Sequence, residues 1–566
     1  MSAVPDSRKP NLIVLMTDQQ RTPMHWPGGQ WLRELCPADA ELARTGLTFD
    51  EMRTNTCMCS PVRATMLTGL MPSGHGVPLT LTHGGAAPVA GNLPGVAATA
   101  IRASRRDGLP VSSILAGTKR QLWRPGWTGG KEPELRAGIP TFGSVLAEAG
   151  YHVGFRGKWH LTKPLDREAG WSDADAARIE EDFGLRGWVP PDAGEDILPE
   201  HFGGGSAGTW GTGWDEDYTR QSLDFLANPP EPFCLFISLV NPHDVLAYPT
   251  SWELGGYGAE DIADIGVELP ATVDESLGDK PLIHSMMSIG QAAFIGPLRD
   301  DRERLAYINF YARLHAVVDR HIGRIVSALG DPDDPASLRA RTVVFRTSDH
   351  GEMGLSHGGL RQKMFNAYEE TLKVPLVISN PTLFPRAKAT SAPAGHVDLL
   401  PTLAAFAGAD AGAVHGVDLS PEVARQADPD GEALSRSQWG ARELLARGGE
   451  PFPRDAQLFT YDDHQAGTAI GNVSGQPNRV RCVVEDGWKW VVYLDPTRRE
   501  APQQELYDLG SDPHEVENLV GRDGTRAKRP EVADAQARLR HRLVELLEAS
   551  GSHWEAPEVQ RAAGAR

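Results

Sequence analysis

The chain has 566 residues, beyond the size at which one hydrophobic core keeps growing, so a mini-protein is excluded and one large plus one small domain is expected. Hydrophobic residues at 40% and charged residues at 23% are ordinary for a globular enzyme and exclude global disorder. With 56 basic against 75 acidic residues the net charge is −19, a field that repels nucleic acid and anionic membranes, so an anionic ligand needs a locally positive pocket.

Residues 1–10 lack the apolar segment of a signal peptide, and the run from Leu12 to Met16 is far too short to cross a bilayer, so a cytoplasmic location is expected. The first element, Asn11 to Thr17, is a continuous apolar run of the kind buried on both faces of a sheet, and it ends in Asp18. Five cysteines, Cys36, Cys57, Cys59, Cys234 and Cys482, are too few and odd in number for a disulfide framework, which makes Cys57 and Cys59 the pair to examine for chemistry. From Pro61 onward the residues suit a helix, with Ala64, Met66 and Leu67 as good formers. Cys59 then lies at or just before a helix amino terminus, where free N–H groups favour an anion, and Arg63 follows one turn on.

A helical pattern spans Thr141 to Ala149, and the strand Tyr151 to Phe155 runs into Lys158 and His160. The strand Phe233 to Val240 runs into His243. A long helix is expected from Arg302 to Leu329, with Leu305, Ile308, Leu314, Val318, Ile322, Ile325 and Leu329 on a 3.6 repeat, and the strand Thr342 to Ser348 runs into Asp349 and His350. Strands alternating with helices imply an α/β fold, a large and mostly parallel sheet sandwiched by helices, with ligands beyond the carboxyl ends of the strands. One polar residue after a strand is an ordinary loop residue; four such clusters in one chain point to a metal site beside an anion site.

Residues 164–215 and 245–300 follow two of these strands and are the expected walls of a substrate cleft. Trp171, Trp188, Trp210, Trp214 and Trp252 there suit a sugar face or a quaternary ammonium group, with plain packing the simpler expectation. Beyond residue 410 the pattern turns polar. Residues 421–455 read as a linker with a helical piece near Ala433 to Arg447, between a catalytic domain (1–420) and a smaller α+β domain (456–566). In the latter, Arg481 to Glu485, Asp486-Gly487 and Trp488 to Leu494 form a hairpin signature, Glu505 to Leu509 a further strand, and Val532 to Ala549 a closing amphipathic helix with Leu539, Leu543 and Leu546.

Cys59-Ser60-Pro61-Val62-Arg63 followed by Leu67-Thr68-Gly69 resembles the signature Cys-x-Pro-x-Arg of the type I sulfatase family, within the alkaline phosphatase superfamily, in which the cysteine is oxidised to Cα-formylglycine. Cys57 does not fit that signature, since Cys59 stands where proline is required. Asn11 to Asp18, Gly157 to Leu161, Ser348 to Glu352, Lys363, Tyr368-Glu369, Val374 to Ile378, Val397 to Thr402 and Leu506 to Leu519 resemble further family segments. Many arylsulfatases have two adjacent aspartates after the first strand and Asp-Asn after the later one. Asp18-Gln19 and Asp349-His350 resemble instead the choline-sulfatase and phosphonate-monoester-hydrolase branches.

The resemblance implies one divalent metal, Ca²⁺ or Mn²⁺, on Asp18, Cys59, Asp349 and His350, with Gln19 as a ligand or a hydrogen-bonding neighbour. It implies hydrolysis of a small organic sulfate ester: the hydrated aldehyde of residue 59 attacks sulfur, the alcohol departs, and the second hydroxyl expels sulfate. Arg63 orients the diol, Lys158 and Lys363 neutralise sulfate oxygens, His243 or Lys363 protonates the leaving oxygen, and His160 is the base, exchange of the two histidine roles being allowed. A maturase for Cys59 is an implied partner; nucleic acid and membrane are not, and a homo-oligomer is allowed. The alternatives are a phosphonate monoester or phosphodiester hydrolase using the same site, and a binding protein that has lost its chemistry, against which the intact Cys59, Arg63, Asp18, Asp349 and Lys363 speak.

Overall fold

A computed structural model describes residues 9–23, 26, 29–81, 93–111, 133–193, 203–206, 213–429, 439–462, 477–495, 498–526, 529–552 and 559. The main sheet has seven strands: β1 (Asn11–Asp18), β2 (Gly46–Phe49), β4 (His152–Gly157), β5 (Phe233–Pro242), β6 (Thr342–Ser348), β7 (Leu376–Ser379) and β8 (Lys388–Thr390), in the order β4-β5-β1-β6-β7-β2-β8. The four strands from β4 to β6 run parallel, and only β7 opposes its neighbours. A short pair, β3 (Met52–Arg53) with β9 (Ala394–Gly395), lies beside it.

β1 sits at the centre, and its alternation feeds two cores. Leu12, Val14 and Met16 face the helices Phe142–Glu148 and Leu399–Ala407, while Ile13 and Leu15 face the helices Trp214–Leu226 and Asp301–Ser327. Burial on both faces is why this strand reads as an unbroken apolar run. The long helix starts where Asp300 accepts a hydrogen bond from the Glu303 N–H at 2.9 Å and ends at Ser327, just short of Leu329.

A second, antiparallel sheet runs β10 (Ala456–Tyr461), β11 (Arg479–Glu485), β12 (Trp488–Leu494) and β13 (Gln503–Asp508). At the expected hairpin Glu485 pairs with Trp488, and Asp486 and Gly487 both have positive φ, 52° and 74°, as a type I′ turn demands. The helix Pro530–Ala549 lays Leu539, Leu543 and Leu547 on one face of this sheet. The opposite face, with Cys482, Val491, Tyr493 and Tyr507, packs on Leu360, Phe365 and Tyr368 of the segment that follows β6.

The segment read as a linker contains helices Ser420–Gln426 and Ala441–Leu445, and its Val423, Trp439, Ala441 and Leu444 are buried in the main core. The first part of the helical piece expected near Ala433 to Arg447 lies outside the described residues. Among the described residues no helix is long and apolar enough to cross a membrane.

Candidate active site

The parallel order places the carboxyl ends of β4, β5, β1 and β6 side by side, so Lys158, His243, Asp18 and Asp349 emerge along one edge. The register Thr17 to Ser348 brings the two aspartates together. Gly157, the last residue of β4, has φ +112°, and a Cβ there would stand 2.0 Å from the Ser238 carbonyl oxygen; only glycine lets β4 come close enough to β5 to deliver Lys158.

The helix Cys59–Thr68 points its amino end at this edge, and Cys59 is 1% exposed. Its Sγ lies 3.2 Å from His350 Nε2 and 3.8 Å from Asp18 Oδ1. Asp18, Cys59, Asp349 and His350 offer ligand atoms that all lie within 4.8 Å of one another. The ring of His350 meets the Gly351 carbonyl through Nδ1 at 3.1 Å, so Nδ1 carries the proton and the Nε2 lone pair faces Cys59 and the carboxylates. Burial also pushes the His350 pKa down, which keeps the ring neutral as a ligand must be. Asp349 Oδ1 accepts the N–H groups of Gln19 and His350, at 2.9 and 2.8 Å, while its buried Oδ2 accepts no hydrogen bond. An imidazole lone pair and a carboxylate oxygen held toward one point fit a divalent cation.

The cations stand around Asp18. Arg63 Nη2 donates to Asp18 Oδ2 at 2.9 Å and Lys158 Nζ to the same oxygen at 2.8 Å. Burial alone would raise the Asp18 pKa, but Lys158, His243, Arg63 and His350 outweigh it and hold the carboxyl well below its usual range. Arg63 Nη1 donates to Ser238 Oγ at 2.7 Å and to the Lys158 carbonyl at 2.8 Å, which fixes the guanidinium plane. Lys363 Nζ donates to Gln19 Oε1 at 2.6 Å, and Gln19 Nε2 donates to Glu352 at 2.6 Å.

His160 takes a positive φ of 55°, with its N–H and that of Trp159 donating to the two oxygens of Asp192 and its Nε2 2.7 Å from the Leu81 carbonyl. His243 is buried at the start of the turn His243–Ala247. The residues expected from the sequence to hold metal or act on substrate are all buried, with Asp18, Cys59, Arg63, Lys158, Asp349 and His350 in direct contact and Gln19 joining Lys363 to them. Sequence reading missed Ser238 and Asp192, which orient Arg63 and the Trp159-His160 backbone; neither stands in a spacing that announces it. Cys57 packs against Leu277, Ile283 and Tyr368, and burial pushes its thiol pKa up, consistent with an inert core residue. Trp171 and Trp188 pack edge to face, Trp252 packs on Phe310 and Trp214 on Tyr218, so these four serve packing; Trp210 lies outside the described residues.

A family model described as Sulfatase matches residues 10–409. An uncharacterised sulfatase of Escherichia coli is 25% identical over 96% of this chain and 88% of its own length. The choline-sulfatase of Rhizobium meliloti is 26% identical over 90% of this chain and 82% of its own. Among solved structures, the phosphonate monoester hydrolase of Agrobacterium radiobacter superposes with a TM-score of 0.59 at 18% identity, covering 96% of each chain, a likeness of fold.

Proposed function

Since this chain belongs to the sulfatase family and is a sulfuric ester hydrolase, we propose that it cleaves the sulfate monoester of a small organic alcohol with residue 59, in its formylglycine form, as nucleophile. The observation that carries the reading is the meeting of Asp18, Cys59, Asp349 and His350 at one point, with Arg63 and Lys158 sharing an oxygen of Asp18. Those four residues would hold one divalent ion, Ca²⁺ or Mn²⁺, whose charge when bound lowers the pKa of a hydroxyl on residue 59 and offsets that of the sulfate. Gln19 is assigned to holding Lys363 in place, its amide oxygen being the acceptor for that ammonium.

The protein's own side chains then divide the work. Arg63, locked by Ser238 and the Lys158 carbonyl, orients the nucleophilic oxygen. Lys158 and Lys363 place positive charge beside the sulfate oxygens in a water-poor site, where it acts strongly. His243 protonates the departing alkoxide. His160 spends its Nε2 proton on the Leu81 carbonyl, which makes Nδ1 the nitrogen that takes a proton in the step releasing sulfate. In this reading a maturase oxidises Cys59 in the cytoplasm, and residues 1–420 form the catalytic domain with 456–566 attached.

Peptide mass spectrometry of the segment holding Cys59, purified from its host, tests the nucleophile; an unmodified thiol in fully active enzyme overturns it. Parallel assays on an aryl sulfate and an aryl phosphonate monoester test the substrate: a faster sulfate reaction is expected, and a phosphonate rate far above it selects the phosphonate reading. Cys59→Ala and Asp349→Ala are each expected to abolish turnover with the fold intact.

A further inference from the structure

A cavity of about 70 Å³ lies between the helices Leu93–Asp107 and Leu282–Phe294, the start of the long helix and the turn through Gly358. Among the described residues, Arg102, Arg106, Arg304 and Arg361 line it and no acidic residue does, in a chain whose net charge is −19. Two of the four arginines are neutralised: Arg106 by Asp107 at 2.5 and 2.8 Å, and Arg304 by the exposed Asp274 and Asp301 at 3.1 and 3.3 Å. Arg102 donates to the Arg299 and Leu298 carbonyls and to Thr99, but to no carboxylate.

Arg361 is the unusual member. It is 4% exposed, its Nη2 donates to the Gly296 carbonyl at 2.6 Å, and its Nη1 is buried with no hydrogen-bond partner. The Tyr307 ring lies 5.8 Å from the guanidinium, a contact with no formal charge. A buried cation is costly, and burial pushes the Arg361 pKa down more strongly than Tyr307 and Glu352 pull it up, so its charge is only partly compensated. Gln291 grips the backbone of Arg361 on both sides, its Oε1 taking the N–H at 2.9 Å and its Nε2 giving to the carbonyl, which fixes the main chain from which the guanidinium extends.

We propose that this cavity, lined by none of the residues assigned to the catalytic edge, is an oxyanion-binding site in which a phosphate, sulfate or carboxylate group bridges Arg361 and Arg102. Its volume admits about five water-sized occupants, enough for one tetrahedral oxyanion and too little for a whole sugar. Forked guanidinium donors are the group that best matches such oxygens. The anion is either a free inorganic ion or a second acidic group on a substrate.

Titration calorimetry of the full chain with inorganic phosphate decides whether the site exists. Wild type should show a binding event that survives Lys158→Ala, weakens about tenfold in Arg102→Gln and is lost in Arg361→Gln. Arg102 is exposed, so its variant keeps the test sound even if Arg361→Gln fails to fold. The idea is overturned if the only phosphate site is the one lost in Lys158→Ala, or if Arg102→Gln binds as wild type does. The source of the anion follows from KM values in Arg102→Gln: a rise confined to aryl sulfates bearing a second anionic group assigns the cavity to substrate, and unchanged values alongside lost phosphate binding assign it to a free ion.

Discussion

Arg63 shows how a single side chain depends on neighbours that no motif names. Its identity and spacing from Cys59 are legible in the sequence, as are Asp18, Lys158 and Asp349, because each follows a recognisable apolar strand or helix signal. Ser238 is not legible, since it stands inside β5 and acquires a role only when β4, β5 and the Cys59–Thr68 helix meet. Ser238→Ala removes one of the contacts that fix the Arg63 guanidinium and leaves a buried donor unpaired, a loss of about 1–3 kcal/mol. If Arg63 orients the nucleophile as proposed, the expected result is a fall in kcat of about tenfold or more with KM little changed. An unchanged kcat would show that Asp18 and the Lys158 carbonyl hold Arg63 unaided. Removal of divalent ions with a chelator should abolish turnover reversibly, and differential scanning calorimetry should show the melting temperature falling in parallel, since an ion bound only by the folded state stabilises it.

At the scale of elements, long strands and amphipathic helices are readable and short strands are not. β1 and β5 are eight and ten residues of largely apolar sequence and β6 holds the apolar run Val343 to Phe345, whereas β2, β3, β8 and β9 are two to four residues, too short to show a period. The junction between the two sheets is equally silent in sequence. Glu369, in the turn after Lys363, accepts from Arg53 at 2.7 and 3.0 Å and from Lys489 of β12 at 3.0 Å, all three being buried. Burial opposes the ionised form, but Arg53 and Lys489 more than compensate and hold the Glu369 pKa below its ordinary value. The folded chain therefore keeps Glu369 ionised at a pH where the unfolded chain protonates it, so this stabilisation is complete above about pH 4.3 and is lost as the pH falls below that. Glu369→Gln leaves two cations buried with one partner fewer and should cost about 3–5 kcal/mol in urea unfolding at pH 7. The gap between variant and wild type should narrow as the pH drops below 4; a gap independent of pH would contradict the ion-pair assignment.

Across the whole molecule, an acidic exterior surrounds a compact group of positive side chains. Beyond roughly one Debye length, about 10 Å at 0.1 M salt, an approaching aryl sulfate senses the net charge of −19 and not Lys158 or Arg63, both of which are buried. Sodium chloride added from low ionic strength to about 0.1 M should therefore raise kcat/KM for a monoanionic substrate, by a factor of about two to ten, and leave a zwitterionic substrate of no net charge unaffected. Initial rates on the two substrates across a salt series provide the check, and a steady decline for the anion would mean that the local positive field dominates capture. The burial of Cys59, 1% exposed beneath strand ends separated by up to 331 residues from Asp18 to Asp349, also sets a clock. If Cys59 is oxidised as proposed, an enzyme acting on it would need access before the strands around it assemble and bury it. At translation rates of about 5–20 residues per second, the interval between synthesis of Cys59 and of Asp349 is about 15–60 s. On that reading the yield of working enzyme is a race between modification and chain closure, and slowing elongation between these two codons should raise it.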